Sequence, residues 1–181
     1  MERSVALIAV FAALVAALGF MPNLMLASGV PITAQSLGVM LCGTVLGSKR
    51  GGLAVLLFVA MVALGLPFLA GGRGGLGVFA SPTAGFIIGF PIAAFATGFV
   101  MEQTQRMPIG FAAGIAAAVG GIVVLYAFGV TGFMLVLGKS LSETLLVLWV
   151  YIPGDIIKVI LTGFITVGLA KARPASIMSR A

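Results

Sequence analysis

No histidine occurs in this chain, cysteine occurs once, and aspartate and glutamate together occur four times in 181 residues. These gaps exclude much chemistry. Zinc, haem and iron–sulfur centres lack ligands, a single thiol closes no intrachain disulfide, and acid–base catalysis has almost no groups to draw on. Charge of either sign is scarce as well: 8% of residues are ionic, against about a quarter in an ordinary soluble domain. Too few charges remain to cover a water-facing surface. Disorder is excluded too, because it needs low hydrophobicity and 61% of this chain is hydrophobic. The composition is that of one membrane domain spanning residues 1–181, and not of an enzyme.

What is present is apolar and continuous. Barrel strands alternate apolar and polar residues, whereas Val5-Ala-Leu-Ile-Ala-Val-Phe-Ala-Ala-Leu14 shows no alternation. The expected class is therefore an all-α membrane protein. With roughly 20 residues per crossing, six transmembrane helices are predicted at 4–20, 32–48, 51–66, 83–101, 108–128 and 153–170, with long outer loops over a ligand pocket. Breaks fall at Met21-Pro-Asn23, Gly29-Val-Pro31 and Ser48-Lys-Arg-Gly-Gly52. Pro91 is expected to kink the fourth span, and Pro153 to sit in the first turn of the last. Residues 129–152, interrupted by Gly129, Gly132, Gly138, Lys139 and Glu143, read as a re-entrant or interfacial connection with a short helix near 141–150.

An even span count puts both termini on one side. That side carries Arg3, Lys49, Arg50, Arg106, Lys171, Arg173 and Arg180, and the other only Arg73 and Lys139. The bias predicts cytoplasmic termini in a prokaryotic cytoplasmic membrane. Residues 1–27 also have the pattern of a cleaved leader, with small residues at Ala27-Ser28, but we read them as the first span because the charge asymmetry needs it. Gly132 to Ser140 resembles a phosphate-binding loop, yet five residues separate its glycines where four are required.

The expensive residues lie elsewhere. Asp155 and Lys158 are three apart and share a face near the outer end of the last span. Ionisable groups there mark function by default, the plainer alternative being a mutual salt bridge that caps the helix. Arg73 lies in the long Gly-rich stretch between Gly65 and Phe86, on the same outer side. Two cations and one carboxylate then converge there, which favours an anionic ligand. Glycines 71, 72, 74, 75 and 77 would let the backbone approach that ligand closely. Thr33, Gln35 and Ser36 place hydrogen-bonding groups at the outer end of the second span.

Five motifs occur in order: Pro31-Ile-Thr33-Ala-Gln35, Gly47-Ser-Lys-Arg-Gly51, Gly65-Leu-Pro67 with its Gly-rich loop, Pro82-Thr-Ala-Gly85-Phe86 and Pro153-Gly-Asp155-Ile-Ile-Lys158. Spread over residues 5–170, they resemble the BioY family, the biotin-specific substrate-binding subunits (S components) of energy-coupling factor transporters. The resemblance implies six helices, a biotin site under the outer loops, no cofactor, and partnership with a transmembrane coupling subunit and two ATPase subunits. It implies biotin contacts from Asp155, Lys158 and Gly85, and from the Gly-rich loop, where Arg73 stands. Ala84 and Phe86 depart from the family's usual glycine and tyrosine. It also favours a docking role for the alanine face of the first span (Ala9, Ala12, Ala13, Ala16, Ala17), whose small residues allow close helix packing in lipid. Competing readings are a self-sufficient secondary transporter or channel, an S component for another small anionic vitamin, and a structural subunit without a ligand.

Overall fold

The computed structural model describes residues 2–25 and 30–180. Among these, seven α-helices carry the fold: α1 (Glu2–Gly19), α2 (Gln35–Leu46), α3 (Ser48–Ala63), α4 (Ala84–Gln103), α5 (Ile109–Leu137), α6 (Leu141–Leu148) and α7 (Ile152–Ala172). Between α1 and α2, Leu24–Met25 pairs antiparallel with Pro31–Ile32. Four helical runs are long and apolar enough to cross a bilayer unaided: α1, α4, α5 and the α6–α7 stretch Leu141–Ala172. Large apolar side chains such as Phe95, Phe99, Phe111, Leu135 and Phe164 point outward from them, which suits hydrocarbon and not water. The chain is a multi-pass membrane protein.

α2 and α4 form the centre. Every residue of α2 except Leu37 is buried, and half of α4 is buried. α2 is only twelve residues long, about 18 Å, and cannot cross a core of about 30 Å alone. Its burial makes it a post around which the others pack. Glycines set the approach distances. A Cβ on Gly43 would meet Ala94 O at 2.6 Å, and one on Gly98 would meet Ser48 N at 2.3 Å.

Contacts define the two ends. Arg3 Nη2 donates to Ala175 O at 2.6 Å, so both chain ends lie at one end of the bundle, the base. The C-terminal segment is tied there: Ser179 Oγ donates to Thr44 O, and the Arg180 guanidinium donates to the carbonyls of Thr104, Gln105 and Met107. α2 and α7 run parallel from the opposite end, the mouth, toward the base. Lys158 Nζ donates to Ser36 Oγ at 2.9 Å, Thr162 Oγ1 lies 3.6 Å from Met40 Sδ, and Thr166 Oγ1 donates to Thr44 Oγ1 at 3.1 Å.

Several expectations are corrected. Residues 129–137 are not a re-entrant connection but the last turns of α5. Gly129 and Gly132, read as breaks, are packing surfaces: a Cβ on Gly129 would enter the Phe86 ring, and one on Gly132 would meet the Gly85 backbone at 2.5 Å. In membrane helices glycine permits close contact instead of ending the helix. α5 does carry a wider π-helical turn at Val119–Val124. The short helix expected near 141–150 is α6, joined to α7 through a 3₁₀ turn at Trp149–Tyr151. Residues 48–52 are not a loop. Only Gly47, at φ +84°, separates α2 from α3. Ser48 opens α3 by donating its N–H (2.7 Å) and hydroxyl (2.8 and 3.1 Å) to Glu102 of α4, a tertiary cap that no local pattern announces. α4 runs through Pro91, and Pro153 stands in the first turn of α7. The Ala27-Ser28 junction and Gly29 lie outside the described residues.

Candidate ligand-binding site

At the mouth, α2, α4, α5, α7 and the 64–83 connection enclose a cavity of about 640 Å³, its opening included. Its walls are largely apolar, with Ile32, Leu69, Phe86, Ile87, Phe90 and Leu125. Arg73, Asp155, Lys158, Thr33, Gln35 and Ser36, scattered over more than 120 positions of sequence, all reach it.

The polar floor is one network. Asp155 is 7% exposed. Its Oδ1 accepts from Lys158 Nζ at 2.8 Å, and more weakly from Ser36 Oγ at 3.5 Å. Its Oδ2 accepts from Tyr126 Oη at 2.6 Å. Lys158 completes the ring through Ser36 Oγ. The Asp155–Lys158 salt bridge read as the plainer alternative therefore exists, and it sits in the cavity wall. Placing Asp155 in the first turn of α7 also puts its charge near the positive end of the helix dipole.

Gln35 serves the scaffold. Its Nε2 donates to Val15 O (3.3 Å) and Phe68 O (3.0 Å), while its Oε1 accepts from Ala70 N (3.1 Å). One buried amide thus joins α1, α2 and the 64–83 connection. Four glycines of that connection, Gly65, Gly71, Gly72 and Gly75, take positive φ. Gly71 and Gly72 take positive φ (78° and 69°) in the turn that pairs Leu69 with Arg73, and no loop glycine lines the cavity. The turn aims Arg73 inward: Nε donates to Ala70 O at 3.2 Å and Nη1 to Thr83 Oγ1 at 3.4 Å. Partial burial lowers the pKa of its guanidinium from the ordinary value.

Gly85 does not line the cavity. It lies against α5, where an added Cβ would stand 2.2 Å from Phe128 O. Tyr126 and Tyr151 do line it, and sequence reading missed both. Tyr151 Oη donates to Val30 O at 2.6 Å, and Tyr126 packs edge-on against Phe86 at 5.8 Å. The chain has only two tyrosines, and a buried phenol in an apolar span asks for a partner. That was the available signal. The alanine face is divided by the bundle: Ala12 and Ala16 are buried, while Ala9, Ala13 and Ala17 face outward.

A family model described as the BioY family matches residues 2–175. The chain belongs to the BioY family. It is 53% identical to the biotin transporter BioY of Rhodobacter capsulatus, over 99% of this chain and all of that protein. It is 46% identical to the biotin transporter BioY of Rhizobium etli, over 90% of each. Among solved structures it is similar to the S-component for biotin from an ECF-type ABC transporter, with a TM-score of 0.88 and 31% identity, covering 94% of this chain and 92% of that one.

Proposed function

We propose that this chain captures biotin in the mouth-end cavity and serves its uptake across the cytoplasmic membrane as the substrate-specific subunit of an ATP-driven energy-coupling factor transporter. The observation that carries this reading is one buried carboxylate, held by a tyrosine and a lysine, facing an apolar cavity in a BioY-family fold. Biotin's ureido group presents N–H donors to Asp155 and a carbonyl acceptor to the remaining N–H of Lys158. An ionised carboxylate only accepts, so Asp155 suits the donors. Phe86, Phe90 and Leu125 offer apolar wall to the fused ring and aliphatic tail. Arg73 and Lys158 are the cations available for the carboxylate. Gly85 contributes by letting α4 and α5 close over one side of the cavity, without touching the ligand.

The seven cations near the base support cytoplasmic termini and a mouth that faces outward. Six crossings then require α2 and α3 to span with help from their flanking segments. The exposed part of the α1 alanine stripe, Ala9, Ala13 and Ala17, is the surface we assign to the transmembrane coupling subunit, which carries two ATPase subunits. Ala16 supports that face from within. No cofactor enters this scheme, since biotin is cargo and the energy comes from other chains.

The test has two arms. Purified protein is expected to bind biotin at 1:1 stoichiometry by calorimetry, and absence of binding overturns the reading. Vesicles containing only this chain are expected to accumulate no biotin until the coupling and ATPase subunits are added. Uptake by the chain alone would make it a self-sufficient transporter.

A further inference from the structure

The chain's four carboxylates can be accounted for one by one. Glu102 holds Ser48, Glu143 accepts from Ser140 at the start of α6, Asp155 holds Lys158, and Glu2 stands in the first turn of α1 at the base. Arg73 is left in a cavity wall with no ion-pair partner among the described residues. A guanidinium has five N–H donors. Two of them make long bonds, to Ala70 O and Thr83 Oγ1. Lys158 is in the opposite condition: two of its three donors are engaged at 2.8 and 2.9 Å, and its charge is balanced by Asp155.

Moving Lys158 onto a ligand anion would strip a buried carboxylate of its counter-charge, which is strongly unfavourable. Arg73 incurs no such loss, and its planar fork matches a carboxylate bidentately. Accepting the biotin reading above, we propose that Arg73 holds the ligand's carboxylate while Lys158 stays with Asp155 at the ureido end. The cavity then selects for a free carboxylate, so tail-modified ligands are rejected by Arg73 itself.

The test compares biotin with biotinamide, which differs only in the carboxyl group, on each of four proteins. A ratio of dissociation constants taken on one preparation does not depend on how much of it is folded. Unaltered protein is expected to favour biotin about 10- to 100-fold, the range for one charge-assisted hydrogen bond. Arg73→Gln is expected to bind biotin more weakly, biotinamide nearly as before, and to bring the ratio near one. Lys158→Met is expected to weaken both ligands while keeping the ratio. If the ratio survives in Arg73→Gln, or collapses in Lys158→Met, the assignment is overturned. Should Arg73→Gln fail to fold, the Lys158→Met ratio alone decides. Asp155→Asn separates the two levels: if it weakens neither ligand, the site reading itself fails. If it weakens both but Arg73→Gln leaves the ratio intact, only the carboxylate assignment fails.

Discussion

Asp155 at the mouth and Glu102 at the base are both carboxylates that join helices, yet they differ in what surrounds them. Glu102 binds the backbone N–H and hydroxyl of Ser48, lies where α2, α3 and α4 meet, and does not line the mouth cavity. Asp155 binds a lysine and a tyrosine and opens onto the mouth cavity, which Arg73, Gln35 and Ser36 also line. One satisfies a helix start and stops there. The other accepts as many bonds but lines a cavity with largely apolar walls, and that setting, more than the number of hydrogen bonds, distinguishes a candidate ligand site from a structural one.

Substitutions can break or sharpen this contrast. The largest effect is expected from Asp155→Asn, which keeps shape but loses charge-assisted bonds of about 1.5–3 kcal/mol. Biotin affinity by calorimetry should fall roughly ten- to a hundredfold on correctly folded protein, and unchanged affinity would place Asp155 with Glu102 as a structural group. Tyr126→Phe removes one donor to Asp155 and leaves the ring contact with Phe86, so a loss of about 1 kcal/mol, roughly fivefold in affinity, is expected by the same titration. Glu102→Gln should leave affinity unaltered and lower thermal stability in detergent by only about 1 kcal/mol, read as a small drop in melting temperature. A binding defect there would erase the distinction.

The sequence was most legible where chemistry was rare. Asp155 and Lys158 stood out because charge in an apolar span is costly, and Arg73 because it is one of two cations outside the basic side. Thr33, Gln35 and Ser36 were grouped at one end of the second span, and the structure brings all three to the cavity. Legibility failed where a residue's role depends on its neighbour. Gly129 and Gly132 look like breaks until Phe86 and Gly85 are seen against them. Ser48-Lys-Arg-Gly-Gly52 looks like a loop until Glu102 arrives from another helix. The alanine face of α1 spans two orientations, and only packing against the bundle separates buried Ala12 and Ala16 from exposed Ala9, Ala13 and Ala17. Tyr126 and Tyr151 carried only the general signal that a phenol in an apolar span needs a partner, and the sequence does not say that the partners are Asp155 and Val30.

The three α2–α7 contacts pair residues 36, 40 and 44 with 158, 162 and 166, at successive turns of two parallel helices. Such a ladder behaves as a keyed joint. Small sliding breaks every rung together, and the next matching register lies a full turn away, about 5.4 Å, where Lys158 would lose Ser36 as its rung. The two helices are thereby locked against shear. Asp155 and Lys158 stand at the mouth end of that joint, so the register of α2 against α7 sets the position of the polar floor.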